Sequence, residues 1–317
     1  LKILVLGLPC YAFYLQIFSG GSFQAIRQAF LQNYQALRPG YLILAVLLMP
    51  LNWLLETQKW RLLLRPDVDL PLSIAFRAVL GGVTVSLFTP NRTGEYAGRI
   101  LLVDAQYNWK AAIASLVGSF SQIIVLTGMG IPGLIYFLTF LPKADYWAWL
   151  PYVGILPWGI LLLLYLRTPR LLSLLNQFRI PERWKNHLRP LAVVKHYSQR
   201  QLVQALGLSF LRYLVYSAQY LLVLALFGIK PDLLEGVAGV ATIFLLQTGI
   251  PLPPFGALLA RGEIALLVWS VFGANEISIL AATFLVFIIN LSLPSLVGAV
   301  FILKTNVLKS IGYDDNQ

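Results

Sequence analysis

Two short stretches of the chain set charge, proline and glycine together inside apolar surroundings. The first reads Thr89-Pro90-Asn91-Arg92-Thr93-Gly94-Glu95, with Arg99 one helical turn beyond Glu95. The second reads Ile250-Pro251-Leu252-Pro253-Pro254-Phe255-Gly256, followed by Arg261-Gly262-Glu263. Proline lacks an N–H and restricts the residue before it, so Pro90, Pro251, Pro253 and Pro254 interrupt helix, and Gly94 and Gly256 let the backbone turn. An arginine at bilayer depth costs roughly 2.5–3.5 kcal/mol on insertion scales, so each needs a partner or a ligand. Guanidinium forks bind phosphate bidentately, and freed helix N-termini add N–H donors and a positive dipole end. The chemistry on offer is capture of an anion. Arg92, Arg99 and Arg261 are its candidate ligands, with Arg212 from a later helix. Glu95 and Glu263 would orient the arginines, or exchange a proton or cation. The plainer alternative is that Arg92–Glu95 and Arg261–Glu263 are internal ion pairs that clip each break shut.

The elements that must position these groups follow from composition. The 317 residues hold 24 Lys and Arg against 13 Asp and Glu, a formal charge of +11, with 58% hydrophobic and only 12% charged residues. Mean hydropathy is +0.74. A soluble domain carries about 25% charged residues, so a cytosolic enzyme is excluded, and the apolar content excludes disorder. Long unbroken apolar runs exclude a β-barrel, whose strands alternate. The expected fold is an all-α polytopic membrane protein, one transmembrane domain over 1–317, with about seven to nine hydrophobic segments.

The segments are Ile3–Phe18, Tyr41–Leu64, Leu72–Phe88 with Tyr96–Val103, Ala111–Phe140, Trp149–Leu166, Leu202–Phe227, Leu233–Ile250 with Gly256–Phe272, and Ile277–Leu303. Gln24–Leu37 is amphipathic and is expected on the surface. The first half (1–166) carries a hairpin over 72–108, and the second (201–317) carries one over 232–273. Between them the loop 167–200 holds eight basic residues against Glu182, seven units of the net +11. By the positive-inside rule it is cytoplasmic, and counting outward places Lys59, Arg61, Arg65, Lys110, Lys304 and Lys309 inside, with both termini. Trp60, Trp109, Trp147 and Trp149 then fall near interfaces, as an aromatic belt would. The halves read span, broken hairpin, span, with hairpins entering from opposite sides. That is an inverted repeat, which in transporters puts the substrate site at midplane between discontinuous helices. The chain opens at Leu1 without methionine, so a short N-terminal piece is expected to be missing.

Other intramembrane polar groups are weaker signals. Arg212 and Gln219 share a helix face, as do Tyr213, Tyr216 and Tyr220. Glu56, Gln122, Gln247 and Asn290 add to them, and interhelical hydrogen bonding explains amides and tyrosines best. Arg77 is expected to snorkel. A single cysteine, Cys10, and two histidines confined to the basic loop, His187 and His196, exclude a disulfide, a thiolate metal cluster and a histidine triad. No catalytic residues, metal site or cofactor are indicated.

The residues Gln58-Lys59-Trp60-Arg61-Leu62-Leu63, Phe88 to Glu95 with Arg99, Arg212-Tyr213, Gln219-Tyr220, Pro251 to Gly256 with Arg261-Gly262-Glu263, and Asn290 to Pro294 with Gly298 resemble the lysylphosphatidylglycerol synthase transmembrane domain family of flippase-like membrane proteins. The resemblance covers almost the whole chain. It implies a multi-pass bacterial inner-membrane protein that moves or presents lipids, some relatives translocating aminoacylated phosphatidylglycerol and others serving glycolipid, polyprenyl-phosphate or hopanoid pathways. Relatives with synthase activity carry a large cytosolic domain for which this chain, ending at Gln317, has no room, so that activity is not expected. Many relatives place Glu-Arg and a nearby Asp in the span after the first hairpin, where this chain has Gly118-Ser119-Phe120-Ser121-Gln122. The leading expectation is a lipid translocator binding an anionic or phosphate-bearing headgroup. The alternatives are a non-catalytic accessory subunit docking a cytosolic or membrane enzyme, such as a glycosyltransferase, through the basic loop, and a lipid-modifying membrane enzyme. Lipids, rather than nucleic acid, are the expected partners.

Overall fold

The computed structural model describes residues 39–65, 68–87, 89, 93–141, 149–175, 194–249 and 254–305. The expected first span, Ile3–Phe18, the amphipathic Gln24–Leu37, and Arg92, Trp147, Arg179, Arg183 and Lys185 lie outside the described residues, as do Pro90, Pro251 and Pro253. Among the described residues all regular structure is helical. In chain order the helices are α1 (Pro39–Leu64), α2 (Leu72–Ser86), α3 (Gly94–Ile100), α4 (Asn108–Leu138), α5 (Leu150–Leu175), α6 (Gln199–Leu226), α7 (Leu233–Gly249), α8 (Pro254–Trp269), α9 (Glu276–Phe287) and α10 (Leu293–Lys304). A five-residue π-turn, Ile288–Ser292, joins α9 to α10 as one rod.

Helix ends follow local chemistry. Ser198 starts α6 with a full capping box, its hydroxyl accepting from the Gln201 backbone N–H while the Gln201 side-chain Oε1 accepts from the Ser198 N–H. Asn275 starts α9 by accepting from the N–H groups of Ile277 and Ser278. The π-turn lies just before Pro294, which has no N–H to offer the Asn290 carbonyl and whose ring would crowd it in a regular helix. Helix α5 runs nine residues past Leu166, carrying Arg167 and Arg170. Hydropathy ends at the first charge, but arginine and leucine still favour helix.

Five helical rods, α1, α4 with its preceding 3-10 turn, α5, α6, and α9 with α10, are long and apolar enough to cross a membrane. The chain is a multi-pass membrane protein. The hairpin arms are shorter. Helices α2 and α7 have 15 and 17 residues, about 23–26 Å at 1.5 Å per residue, against a hydrocarbon core of about 30 Å. Each is shorter than a perpendicular span of that core requires. Buried backbone in such a hairpin must be covered by protein, and the α2–α3 pair does this by close approach. A β-carbon built on Gly98 would meet the Gly81 carbonyl oxygen at 2.6 Å, so only glycine fits at that crossing.

Packing is reciprocal between the halves. Helix α1 lies along its counterpart α6, and the two run antiparallel: Ala45 pairs with Gln219, and Asn52 with Arg212. Helix α2 packs on α10, and its counterpart α7 packs on α4, the counterpart of α10. Both contacts are antiparallel and both rest on glycine. Gly298 sits against the Leu80 carbonyl and Thr84, while Gly130 sits against Leu245 and the Ala241 carbonyl. Counterpart helices that run in opposite directions are what an inverted repeat requires. Helix α5 stands outside this exchange, packing chiefly on α4. One apolar cluster centres on Trp53, Trp60, Val79 and Ile124 of the first half, another on Tyr220, Phe244, Val268 and Ile279 of the second.

Candidate functional site

Glu56, on the α1 face turned toward α6, is 4% exposed and collects three cations. Its Oε2 lies 2.8 Å from Lys59 Nζ and 3.0 Å from Arg212 Nη1, and its Oε1 accepts from Arg99 Nη2 at 2.8 Å. Arg99 reaches across from α3 and also bridges Glu95 on its own helix. Lys59 is 1% and Arg99 2% exposed. Lys59 is therefore a member of a buried cluster rather than part of the charged flank at the end of its span. Trp60, expected in an interfacial belt, is fully buried, with Arg99 5.4 Å from its ring and its Nε1 donating to the Ala111 carbonyl. Trp109 and Trp149 are exposed. Among the described residues of this cluster three cations face two carboxylates, one positive charge in excess.

Amides extend the cluster. Arg212 Nε donates to Asn52 Oδ1 at 2.9 Å, and Asn52 Nδ2 donates to Asn290 Oδ1 of the π-turn at 3.1 Å. This chain ties α1, α6 and the α9–α10 rod together. Lys59 also reaches Gln122 Oε1 of α4 at 3.5 Å, Gln122 Nε2 reaches the Ser209 carbonyl at 3.4 Å, and Ser121 pairs with Ser209 at 2.8 Å. Gly118 leaves room for Lys59 beside it, a β-carbon there coming to 3.4 Å from Lys59 Cε. The Gly118–Gln122 segment thus meets the cluster with small and neutral polar residues.

A cavity of about 230 Å³ opens beside this network. Asn52 and Trp53 of α1, Gln122 and Leu126 of α4, and Arg212, Tyr213 and Tyr216 of α6 form one part of its wall. Phe244, Gln247 and Thr248 of α7, Arg261 of α8, and Asn290 and Leu291 of the π-turn form the rest. Both halves contribute, and the hairpin of the second half supplies four of these residues. Arg212 rests 5.0 Å from the Trp53 ring and Arg261 5.7 Å from the Phe287 ring, stacking that fixes a guanidinium without consuming its N–H donors. The Trp53 Nε1 is buried and has no hydrogen-bond partner among the described residues.

The residues singled out in the sequence divide accordingly. Arg212 and Arg261 are brought to one cavity. Arg99 and Glu95 stand behind it, on the far side of Glu56, and do not line it. Arg261 and Glu263 are two apart on α8, so their side chains leave the helix in different directions, and Glu263 is exposed. Gly94 does not adopt a positive φ, since Gly228 and Gly273 are the described residues that do. It is required sterically, because a β-carbon would meet the Val85 carbonyl and Thr89 Oγ1 at 2.6 Å. The Gly94 N–H already donates to that hydroxyl, so the α3 N-terminus holds one donor fewer for an anion. Arg77 is exposed, 5.7 Å from the Phe301 ring. Sequence reading underweighted Glu56 and misplaced Lys59. The signal available was a Glu-x-x-Lys pair inside an apolar run.

Comparison with curated proteins and with solved structures returned no match. The family model for the lysylphosphatidylglycerol synthase TM region matches residues 4–298. That span takes in both hairpins, the buried charge cluster and every residue of the cavity wall named above, and the chain therefore belongs to the lysylphosphatidylglycerol synthase TM region family.

Proposed function

We propose that the protein is a lipid translocator whose cavity holds the phosphate-bearing headgroup of an anionic lipid while the acyl chains stay in the bilayer. One observation carries this reading: two arginines from different helices of the second half, Arg212 of α6 and Arg261 of α8, meet at a cavity that both halves wall, next to a buried cluster with a positive excess. Burying that charge without a counter-ion is costly, and a phosphate supplies the missing negative charge. A volume of about 230 Å³ falls below the roughly 300–1,000 Å³ of drug-sized pockets, which suits a headgroup and not a whole lipid. Arg212 is held by Glu56 and Asn52 and would serve as the fixed anchor. Arg261, on the second hairpin, would close on the ligand from α8. The movement itself needs no bond made or broken. In this reading the protein sits in the inner membrane of a bacterium with both termini cytoplasmic.

The test is movement of labelled anionic lipid across proteoliposome membranes. Arg261→Gln is expected to lower the rate by about tenfold or more, the loss of one charge-assisted phosphate contact of about 1.5–3 kcal/mol, without loss of folded protein. An unchanged rate in that variant would remove the headgroup role from Arg261. Conversion of the lipid into a new chemical species would replace translocation with catalysis.

A further inference from the structure

The wall of the cavity has a composition that sorts headgroups. We propose that it selects a phosphate carrying neutral hydroxyl groups, a polyol or sugar phosphate, over a phosphate carrying an amine. The inference rests on the headgroup reading above and names its substrate class.

An ammonium group is three donors and no acceptor, and inside a membrane it needs a carboxylate. Of the 13 acidic residues in the chain, three lie well inside its membrane helices: Glu56, Glu95 and Glu263. Glu56 has both oxygens engaged, Oε1 by Arg99 and Oε2 by Lys59 and Arg212. Glu95 is bound to Arg99, and Glu263 is exposed away from the cavity. Among the described residues that line the cavity none is acidic. The segment 250–253, between Thr248 and Arg261 in sequence and outside the described residues, contains no acid either. An amine would therefore enter a space of about 230 Å³ beside two guanidinium groups, with no acidic residue among the described lining residues to receive it.

Hydroxyl groups meet the opposite situation. Gln247 offers both donor and acceptor atoms, Gln122 keeps a second N–H and a second lone pair beside its bonds to Ser209 and Lys59, and Thr248, whose proton goes to the Phe244 carbonyl, offers an acceptor; together they can serve a hydroxyl as donor and as acceptor. Tyr216 and Phe244, with ring centroids 5.0 Å apart, give the C–H face of a polyol an apolar wall. An aromatic cage for a quaternary ammonium is weakened at its best ring, because the Trp53 indole already carries Arg212.

The experiment is native mass spectrometry of the full chain in detergent with equimolar phosphatidylglycerol, phosphatidylinositol, phosphatidylserine and phosphatidylethanolamine, with vesicle transport measured in parallel. Phosphatidylglycerol and phosphatidylserine carry the same net charge, so their ratio is free of a difference in overall charge and reads two hydroxyls against an ammonium with its carboxylate. Retention of phosphatidylglycerol and phosphatidylinositol about tenfold above the two amine lipids is expected. Gln247→Glu, which puts a carboxylate into the wall, is expected to narrow that ratio. Equal retention of phosphatidylglycerol and phosphatidylserine by the unaltered protein would overturn the selectivity, whether or not lipid moves. Selective retention without transport would support the selectivity and overturn translocation. Glycerol 3-phosphate is expected not to displace phosphatidylglycerol at equal concentration; displacement would assign the site to a water-soluble phosphate and overturn its lipid part. Retention of no lipid would overturn both readings.

Discussion

Glu56 is the residue on which the buried charges depend. It neutralises parts of Lys59, Arg99 and Arg212 at once, and removing one partner of a buried pair costs about 3–5 kcal/mol because the rest are left uncompensated. Glu56→Gln is therefore expected to lower the thermal unfolding midpoint in detergent by several degrees or to prevent folding. Glu263→Gln, at an exposed position, is expected to leave the midpoint unchanged. Equal midpoints for the two would show that the cluster contributes nothing to stability. How far these roles were legible depends on sequence distance. Glu95 and Arg99 are four apart on one helix, and their pairing was readable. Two of the three partners of Glu56 come from 43 and 156 positions away, and no local pattern announces them. Lys59 stands beside Arg61 and Arg65, so it looked like part of a charged flank. Only the fold separates the one that points inward.

At the scale of elements, glycine sets how closely helices approach. Gly298 lies against the Leu80 carbonyl, and any side chain there would push α10 off α2. Gly298→Ala is expected to destabilise the folded protein, with a midpoint below that of Gly159→Ala, whose added methyl meets nothing within 4 Å. The same ordering is expected in transport, because α10 carries the π-turn that lines the cavity. A Gly298→Ala protein as stable as Gly159→Ala would mean that the two helices separate without cost. The breaks between elements were readable, since proline and glycine act locally. The extent of α5 was not. Hydropathy marks where membrane ends, and helix does not have to end there.

For the whole molecule, the reciprocal packing of α1 with α6, α2 with α10 and α7 with α4 makes a claim about sides. Cysteines at Asp69 and Asp104, which flank the first hairpin, are expected to react with a membrane-impermeant thiol reagent from one side. Cysteines at Lys230 and Glu276, which flank the second, are expected to react from the other, with Cys10 replaced beforehand. Labelling of all four from one side would end the inverted-repeat description. This arrangement was legible because charge and hydropathy act along the chain. The cavity was legible only in part. Arg212 and Arg261 drew notice as charges in apolar runs, whereas Trp53, Tyr216, Phe244 and Thr248 are ordinary apolar-segment residues until six elements converge on them.

The π-turn at Ile288–Ser292 has a consequence for phase. Above it, α9 packs on α6 and α8 of its own half; below it, α10 packs on α2 of the other. One extra residue in a helix shifts the azimuth of everything downstream by about 100°, so the rod acts as two rulers read against different scales and joined with a fixed offset. Asn290 sits in that offset and touches both the cavity and Asn52. A change in the width of that single turn would re-index one half of the protein against the other, and the residue best placed to set the width is one that lines the cavity.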